Sequence, residues 1–298
     1  MFRIPTLTRA LLLSGLVVGV APLAEAVTTD VLVRDGAGNV IASNVRSFDE
    51  NEAGSGLLVG CTPVVGSNFT FRYQANVVSF NDANGQPITP LAGLNQTFAS
   101  GGYEFTVVAS ITEQVTSIST VGSNTTATFE ATGGTASIYF DNAAQGGVKS
   151  TTATGNGFTD GTLVGTFNVA AGAGLSNFTV FASGVGLGAT QYDFTVSADG
   201  VNGDFIQGLL GPISDLHFTS SRVLPPGTST TTTFFNPSDG PYLMTPASAG
   251  LLLKVDGSNT FTTTTSPTTS PVPEPETYAL MLVGLAAVGF MARRLRRS

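Results

Sequence analysis

The sequence predicts an all-β protein: an antiparallel β-sandwich or barrel-like body, with a signal helix before it and a transmembrane helix after it. Three observations carry this. The 298 residues include 36 glycines and are rich in Thr, Ser, Asn, Val and Phe, with only 11% charged side chains. Glycine and β-branched residues disfavour helix and suit turns and strands. Segments of alternating polarity recur along the chain, each bounded by Gly, Asn or Asp. Two long apolar runs, Ala10–Ala21 and Tyr278–Ala292, lie near the ends.

The first element, residues 1–26, has Arg3 and Arg9 ahead of the apolar run. That run is too short to span a bilayer and leads into small residues. Ala24-Glu25-Ala26 has the small-x-small form of a signal-peptidase site, so cleavage is expected after Ala26.

The body is expected over 27–257. Thr29–Arg34 and Asn39–Ala42 flank Asp35-Gly36-Ala37-Gly38 and read as a hairpin. Asn68–Phe80 puts Phe69, Phe71, Tyr73 and Ala75 on one face. Val77 and Phe80 break the phase there, which predicts a bulge. Asn81–Gly85 reads as a loop and Tyr103–Glu113 as a strong strand. Thr125–Ala131 and Ala136–Phe140 read as a pair turning at Thr132-Gly133-Gly134-Thr135. Gly161–Val169, Ser176–Ala182 and Gln191–Ala198 read as three further strands, and Asp204–Leu210 as a short strand or helix. Near-regular strands of this kind predict an antiparallel sandwich or barrel. A single cysteine, Cys61, allows no intrachain disulfide, so stability must come from a packed core, supplied by scattered Phe residues. Cys61 itself reads as an inert buried thiol.

Residues 258–271 are expected to be a linker. Asn259–Ser270 is a Thr/Ser tract, matched upstream by Pro225–Thr233; such polar tracts suit a flexible or polyproline-like stalk. Residues 272–298 form the last element. Prolines 271, 273 and 275 hold an extended strand that a protease can grip. The uncharged run Tyr278–Ala292 is a little shorter than the ~20 residues of a full span. Flanking arginines extend its reach by snorkelling. Arg293, Arg294, Arg296 and Arg297 favour the cytoplasmic face and leave the body outside.

Val272-Pro273-Glu274-Pro275, followed by an apolar helix and a terminal arginine cluster, resembles the PEP-CTERM sorting signal of Gram-negative bacteria. The resemblance implies an exosortase as processing partner, cleavage near Pro273-Glu274-Pro275 and transient anchoring in the inner membrane. Parts of the body are similar to flocculation-associated PEP-CTERM proteins: Phe48–Glu52, Gly66–Phe71, Ala136–Asp141 and Gly161–Phe167. That similarity implies a non-catalytic role among cells, exopolysaccharide and other matrix proteins, at the cell surface or in the extracellular matrix.

Removing residues 1–26 and cutting before Glu274 leaves six basic and 17 acidic residues, a net charge of −11. Such a body repels nucleic acid and anionic membrane surfaces. Candidate chemistry is sparse. His217 is the sole histidine, so no multi-histidine metal site can form, and it reads as structural. A Cys61–His217 dyad has no local support. A glycosidase-like carboxylate pair would be drawn from Asp49, Glu50, Glu52, Glu104, Glu113, Glu130 and Asp141, with nothing to choose among them. Gly184–Gly188 lacks the lysine of a phosphate loop and reads as a turn. Asp199–Asp204 holds three oxygen donors but lacks the distal glutamate of a calcium loop, and reads as a tight hairpin. Phe48–Glu52 reads as a solvated acidic loop. No catalytic, cofactor or metal residue is assigned. The expectation is a structural or adhesive surface protein, with a carbohydrate-binding module or polysaccharide-acting enzyme as the alternative.

Overall fold

The computed structural model describes residues 31–52, 54–151, 154–196, 200–208, 214–224, 233–235, 244–246 and 250–263. Both apolar end segments fall outside them. The described elements are strands, apart from one 3₁₀ turn at Phe98–Ser100.

The strands are β1 (Val31–Arg34), β2 (Val40–Val45), β3 (Ser47–Glu50), β4 (Gly54–Val59), β5 (Asn68–Asn81), β6 (Tyr103–Val121) and β7 (Asn124–Asn142). There follow β8 (Thr162–Val180), β9 (Gly186–Val196), β10 (Ile206–Gln207), β11 (Ser214–Leu224), β12 (Thr233–Phe235), β13 (Met244–Pro246) and β14 (Gly250–Thr263). Nine of them form one sheet in which β5, β6, β7, β8, β9, β11 and β14 are neighbours in chain order, every pairing antiparallel. β14 then pairs with β3 and β4, and both of these pair with β5. The sheet therefore closes on itself. It is an up-and-down barrel, with β3 and β4 sharing one position. Between sandwich and barrel, the pairing decides for the barrel.

The inward rows are apolar. Phe71, Tyr73, Val77, Phe105, Ile111, Ile138, Val164, Tyr192, Leu253 and Val255 are buried in one cluster. A ring of this strand number leaves an interior that side chains can fill. Outward rows carry hydroxyls and amides: Thr126 bonds Thr179 at 2.8 Å, and Thr128 lies 2.9 Å from Thr116 and 2.7 Å from Ser117. This is the reverse of the apolar-out pattern of membrane-spanning barrels. Among the described residues, no helix is long and apolar enough to cross a membrane.

One end of the barrel is aromatic. Phe48 lies 4.8 Å from Phe80 and 4.9 Å from Phe261, and Phe105 lies 5.5 Å from Phe80 and 5.0 Å from Phe140. A second sheet, β10-β1-β2, joins this core through Val31, Val33, Val45 and Ile206. Phe205 reaches Phe140 at 5.2 Å. β12 and β13 pair separately.

Several sequence expectations change. The hairpin at Asp35–Gly38 forms as expected between β1 and β2. The β5 bulge is present too: Asp49 pairs with Ser79 and Glu50 with Val77, so Val78 is the extra residue. Val77 itself keeps phase with Tyr73 and Ala75, and only Phe80 follows the shift. The expected pair around Thr132–Thr135 is one 19-residue strand, β7. Gly134 lets β6 approach, since a Cβ there would lie 2.5 Å from the Ser110 carbonyl oxygen. Gly161–Val169 and Ser176–Ala182 likewise merge into β8, which bulges between Val169 and Gly174. Glycine and alanine interrupt the alternation there without turning the chain. Gly184 is a turn, but Gly186 and Gly188 already belong to β9. Asp204 and Phe205 lie in a turn and Ile206–Gln207 form β10, while Leu209 and Leu210 lie outside the described residues. In the expected linker, Ser258–Thr263 are the last residues of β14; β-branched threonines pair well in a ladder. The tract's remainder lies outside the described residues. Phe48–Glu50 are strand, not loop, with Phe48 and Glu50 buried.

Candidate functional site

A groove of about 750 Å³ lies over the outward face of β8, β9, β14 and β3. Strand register builds it. Asp49 on β3 pairs with Ser258 on β14; Leu175 and Asn177 on β8 pair with Gln191 and Ala189 on β9. The β8 bulge supplies one wall at Gly172-Ala173-Gly174, where Gly172 takes φ 79°. Asp49, Asp193 and Asp256 bring three carboxylates to the lining, beside the amides of Asn177 and Gln191. Burial raises the Asp49 carboxyl above the usual range, and the nearby Asp256 charge raises it further. Leu175, 69% exposed, adds an apolar contact. A polar, acidic groove with one apolar patch can hold hydroxyl-rich or cationic groups and disfavours anionic ones.

Inside the barrel lies a second polar group. Glu113 on β6 accepts from the Tyr192 hydroxyl at 2.6 Å and from Ser176. Arg222 on β11 donates to Tyr192 at 2.7 Å and to Glu113 at 3.4 Å, and its guanidinium stands 3.8 Å from the Phe71 ring centroid. Burial alone would lower the Arg222 pKa, but the Tyr192 and Glu113 interactions outweigh it and the pKa is raised. Burial likewise pushes the Tyr192 hydroxyl up. A carboxylate held this way by a cation is a structural pair rather than a free acid or base.

The remaining sequence candidates scatter. Glu50 faces the barrel interior and accepts from Asn259 of β14. Glu52 is exposed and Glu130 is on the wall near Gly172. Glu104 lies under the β7–β8 connection, bonded to Ser150 and Lys149. His217 pairs through its backbone with Asp193 and Thr260. Cys61 is half-buried and free, its thiol raised by burial and then by Glu113. Asn202 accepts from the Asp204 amide at 3.0 Å, while Asp199 lies outside the described residues. No three His, Cys, Asp or Glu side chains converge as a metal-ligand set among the described residues. Sequence reading missed Arg222 and Tyr192 altogether. An isolated arginine in a Ser/Thr-containing strand was the signal available.

Val272, Pro273, Glu274, Pro275, Arg293, Arg294, Arg296, Arg297, Ala24 and Ala26 all lie outside the described residues. Comparison with family models reaches the tail directly: residues 271–297 match the PEP-CTERM protein-sorting motif. The chain carries a PEP-CTERM sorting signal. The motif implies export, passage through a membrane and processing by an exosortase. The match covers the tail alone; no curated protein and no solved structure matches the chain.

Proposed function

We propose that the mature protein is a non-catalytic structural or adhesive component of a Gram-negative cell surface or extracellular matrix. In this reading its barrel meets exopolysaccharide through the outer groove and supports flocculation or biofilm cohesion. The observation that carries the reading is the union of a sorting tail with a barrel whose interior is filled by its own side chains. Glu113 and Glu104, two of the candidate acids, are engaged by Arg222 and Lys149. To the outside the described body offers ladders of hydroxyls and amides and a carboxylate-lined groove. Such groups exchange hydrogen bonds with sugar hydroxyls, and the acidic lining selects neutral or amino sugars over uronates.

Deleting the gene should reduce cell aggregation and polysaccharide retention, and restoring it should recover both; unchanged aggregation and retention count against the reading. The alternative is a carbohydrate-binding module or a polysaccharide-acting enzyme on the cell surface. Glycan-array binding together with hydrolysis assays on the purified protein separates them, and turnover that survives purification overturns the structural role. On the processing side, Glu274→Ala should trap the precursor in the inner membrane. Intact-mass analysis reads this directly, because a retained arginine cluster means that no cut was made.

A further inference from the structure

The described parts of the β7–β8 connection, residues 143–151 and 154–161, lie against the outer wall of the barrel. Thr106 on β6 donates to the Phe158 carbonyl at 2.8 Å, and Phe158 buries against Val108 and Tyr139. Glu104, Asp141 and Asp160 lie under this connection, and only Asp141 and Asp160 leave a carboxylate oxygen unpartnered. Glu104 and Asp141 are cross-strand partners on β6 and β7. Asp160 closes the connection just before β8.

Their partners are unequal. Glu104 is well served: it accepts from the Ser150 amide at 2.7 Å and hydroxyl at 2.8 Å, from Asn76 at 3.0 Å and from Lys149 at 3.2 Å. Asp141 is 2% exposed. One of its oxygens accepts from the Asn142 amide at 2.8 Å; the other, Oδ2, is buried with no hydrogen-bond partner. Asp160 repeats the pattern. Its Oδ2 accepts from the Val148 amide at 2.8 Å and its Oδ1 is buried and unpartnered. An orphaned buried carboxylate oxygen is destabilising unless a proton or cation meets it. Burial, then Asp160 and Glu104, pushes the Asp141 carboxyl up to about 6. Gly147 crosses directly over this carboxylate: a Cβ there would stand 2.0 Å from Asp141 Oδ2. Only a glycine lets the main chain lie so close. Among the described residues at this site, three carboxylates meet one ammonium, that of Lys149.

We infer that Asp141 and Asp160 form a divalent-cation site, best suited to calcium, that pins the β7–β8 connection to the barrel wall. Asp141 Oδ2 and Asp160 Oδ1 are its two protein carboxylate ligands, with main-chain carbonyls and water completing an oxygen shell. Calcium accepts such flexible, oxygen-only surroundings, whereas magnesium demands a tighter octahedron. Two carboxylates place the affinity with extracellular calcium modules, about 10⁻⁴–10⁻³ M. The site would therefore fill after export, where the sorting tail sends the chain.

Thermal unfolding of the full-length chain in detergent tests this, with EDTA, CaCl₂ and MgCl₂ compared at matched ionic strength. Calcium at about 100 times its dissociation constant should raise the Tm by roughly 5–10 °C, and magnesium by less. Asp141→Asn and Asp160→Asn should each abolish the calcium shift, whatever they do to the Tm in EDTA. Asp256→Asn, in the outer groove, should keep it. Equal Tm values in EDTA and calcium would overturn the site. So would a calcium shift of the same size in wild type and in both variants, which would mean general screening of an acidic body. Should one variant fail to fold, the other decides, and calorimetric titration of the wild type must show one calcium bound.

Discussion

The two ends of the barrel solve the same burial problem by opposite means. At the aromatic end, Phe48, Phe80, Phe105, Phe140 and Phe261 fill the interior with rings 4.8–5.9 Å apart where they touch. At the other end, Glu113, Tyr192, Ser176 and Arg222 form a hydrogen-bonded group that lies against Phe71. Ring packing is spread over many weak contacts and can adjust. A buried ion pair is concentrated in a few directed ones, and its charges are costly as soon as one partner goes. The apolar end should therefore degrade gradually and the charged end abruptly.

The largest expected effect comes from splitting the pair. Arg222→Met leaves Glu113 buried without its cation and should cost about 3–5 kcal/mol in chemical denaturation. Adding Glu113→Leu should return stability to within about 1–2 kcal/mol of wild type, since the charged end is then remade as an apolar one. A double variant as unstable as the single one would show that the pair is not the source of the difference. At the aromatic end, Phe80→Leu should cost only about 1–2 kcal/mol, with no rescue needed to keep the fold.

A smaller effect tests a third kind of burial. Glu50 sits inside the barrel with Asn259 as its hydrogen-bond donor, and among the described residues its Oε2 has no partner. Burial, then the Asp49 charge, raises its pKa well above the ordinary 4.5; Asn259 opposes this, and Asp256 adds to it. The folded state thus holds a proton that the unfolded chain releases. Glu50 contributes fully below pH ~4.5, and that contribution is lost as pH rises through the folded value. Glu50→Gln should flatten this decline and stabilise the protein at neutral pH by roughly 1 kcal/mol. A pH profile unchanged by the substitution would show that Glu50 does not titrate in this way. The smallest effect belongs to the outer wall: Thr128→Ala removes hydroxyl contacts to Thr116 and Ser117 and should change stability by less than about 0.5 kcal/mol.

The inward aromatic row of β5 was legible in the sequence and the buried ion pair was not. Phe69, Phe71 and Tyr73 announce an inward face by their spacing alone, and the shift at Phe80 announces the bulge. Glu113 sits at an inward position of the same kind, yet its partner Arg222 is 109 residues away, and Asn259 is 209 residues from Glu50. Pairings that depend on ring closure leave no local trace. The lengths of β7 and β8 were hidden for a different reason. Glycine and alanine at 133–134 and 170–174 look like breaks, because a missing side chain reads the same at a turn as at a close approach between strands. The outer groove is a product of register and the β8 bulge, so its carboxylates, from three different strands, could be named individually but not gathered.

β14 is bonded along both edges, to Ser214–Val223 of β11 on one side and to β4 and β3 on the other. It is also the last described strand before the sorting tail. Any tug transmitted through that tail reaches the body at the Thr263 end of β14 and runs lengthwise along the strand. Many ladder bonds then share the tension in shear instead of opening one after another. Resistance to forced unfolding is set by the unfolding rate rather than by equilibrium stability, so the length of this ladder governs how the body answers a pull from that end.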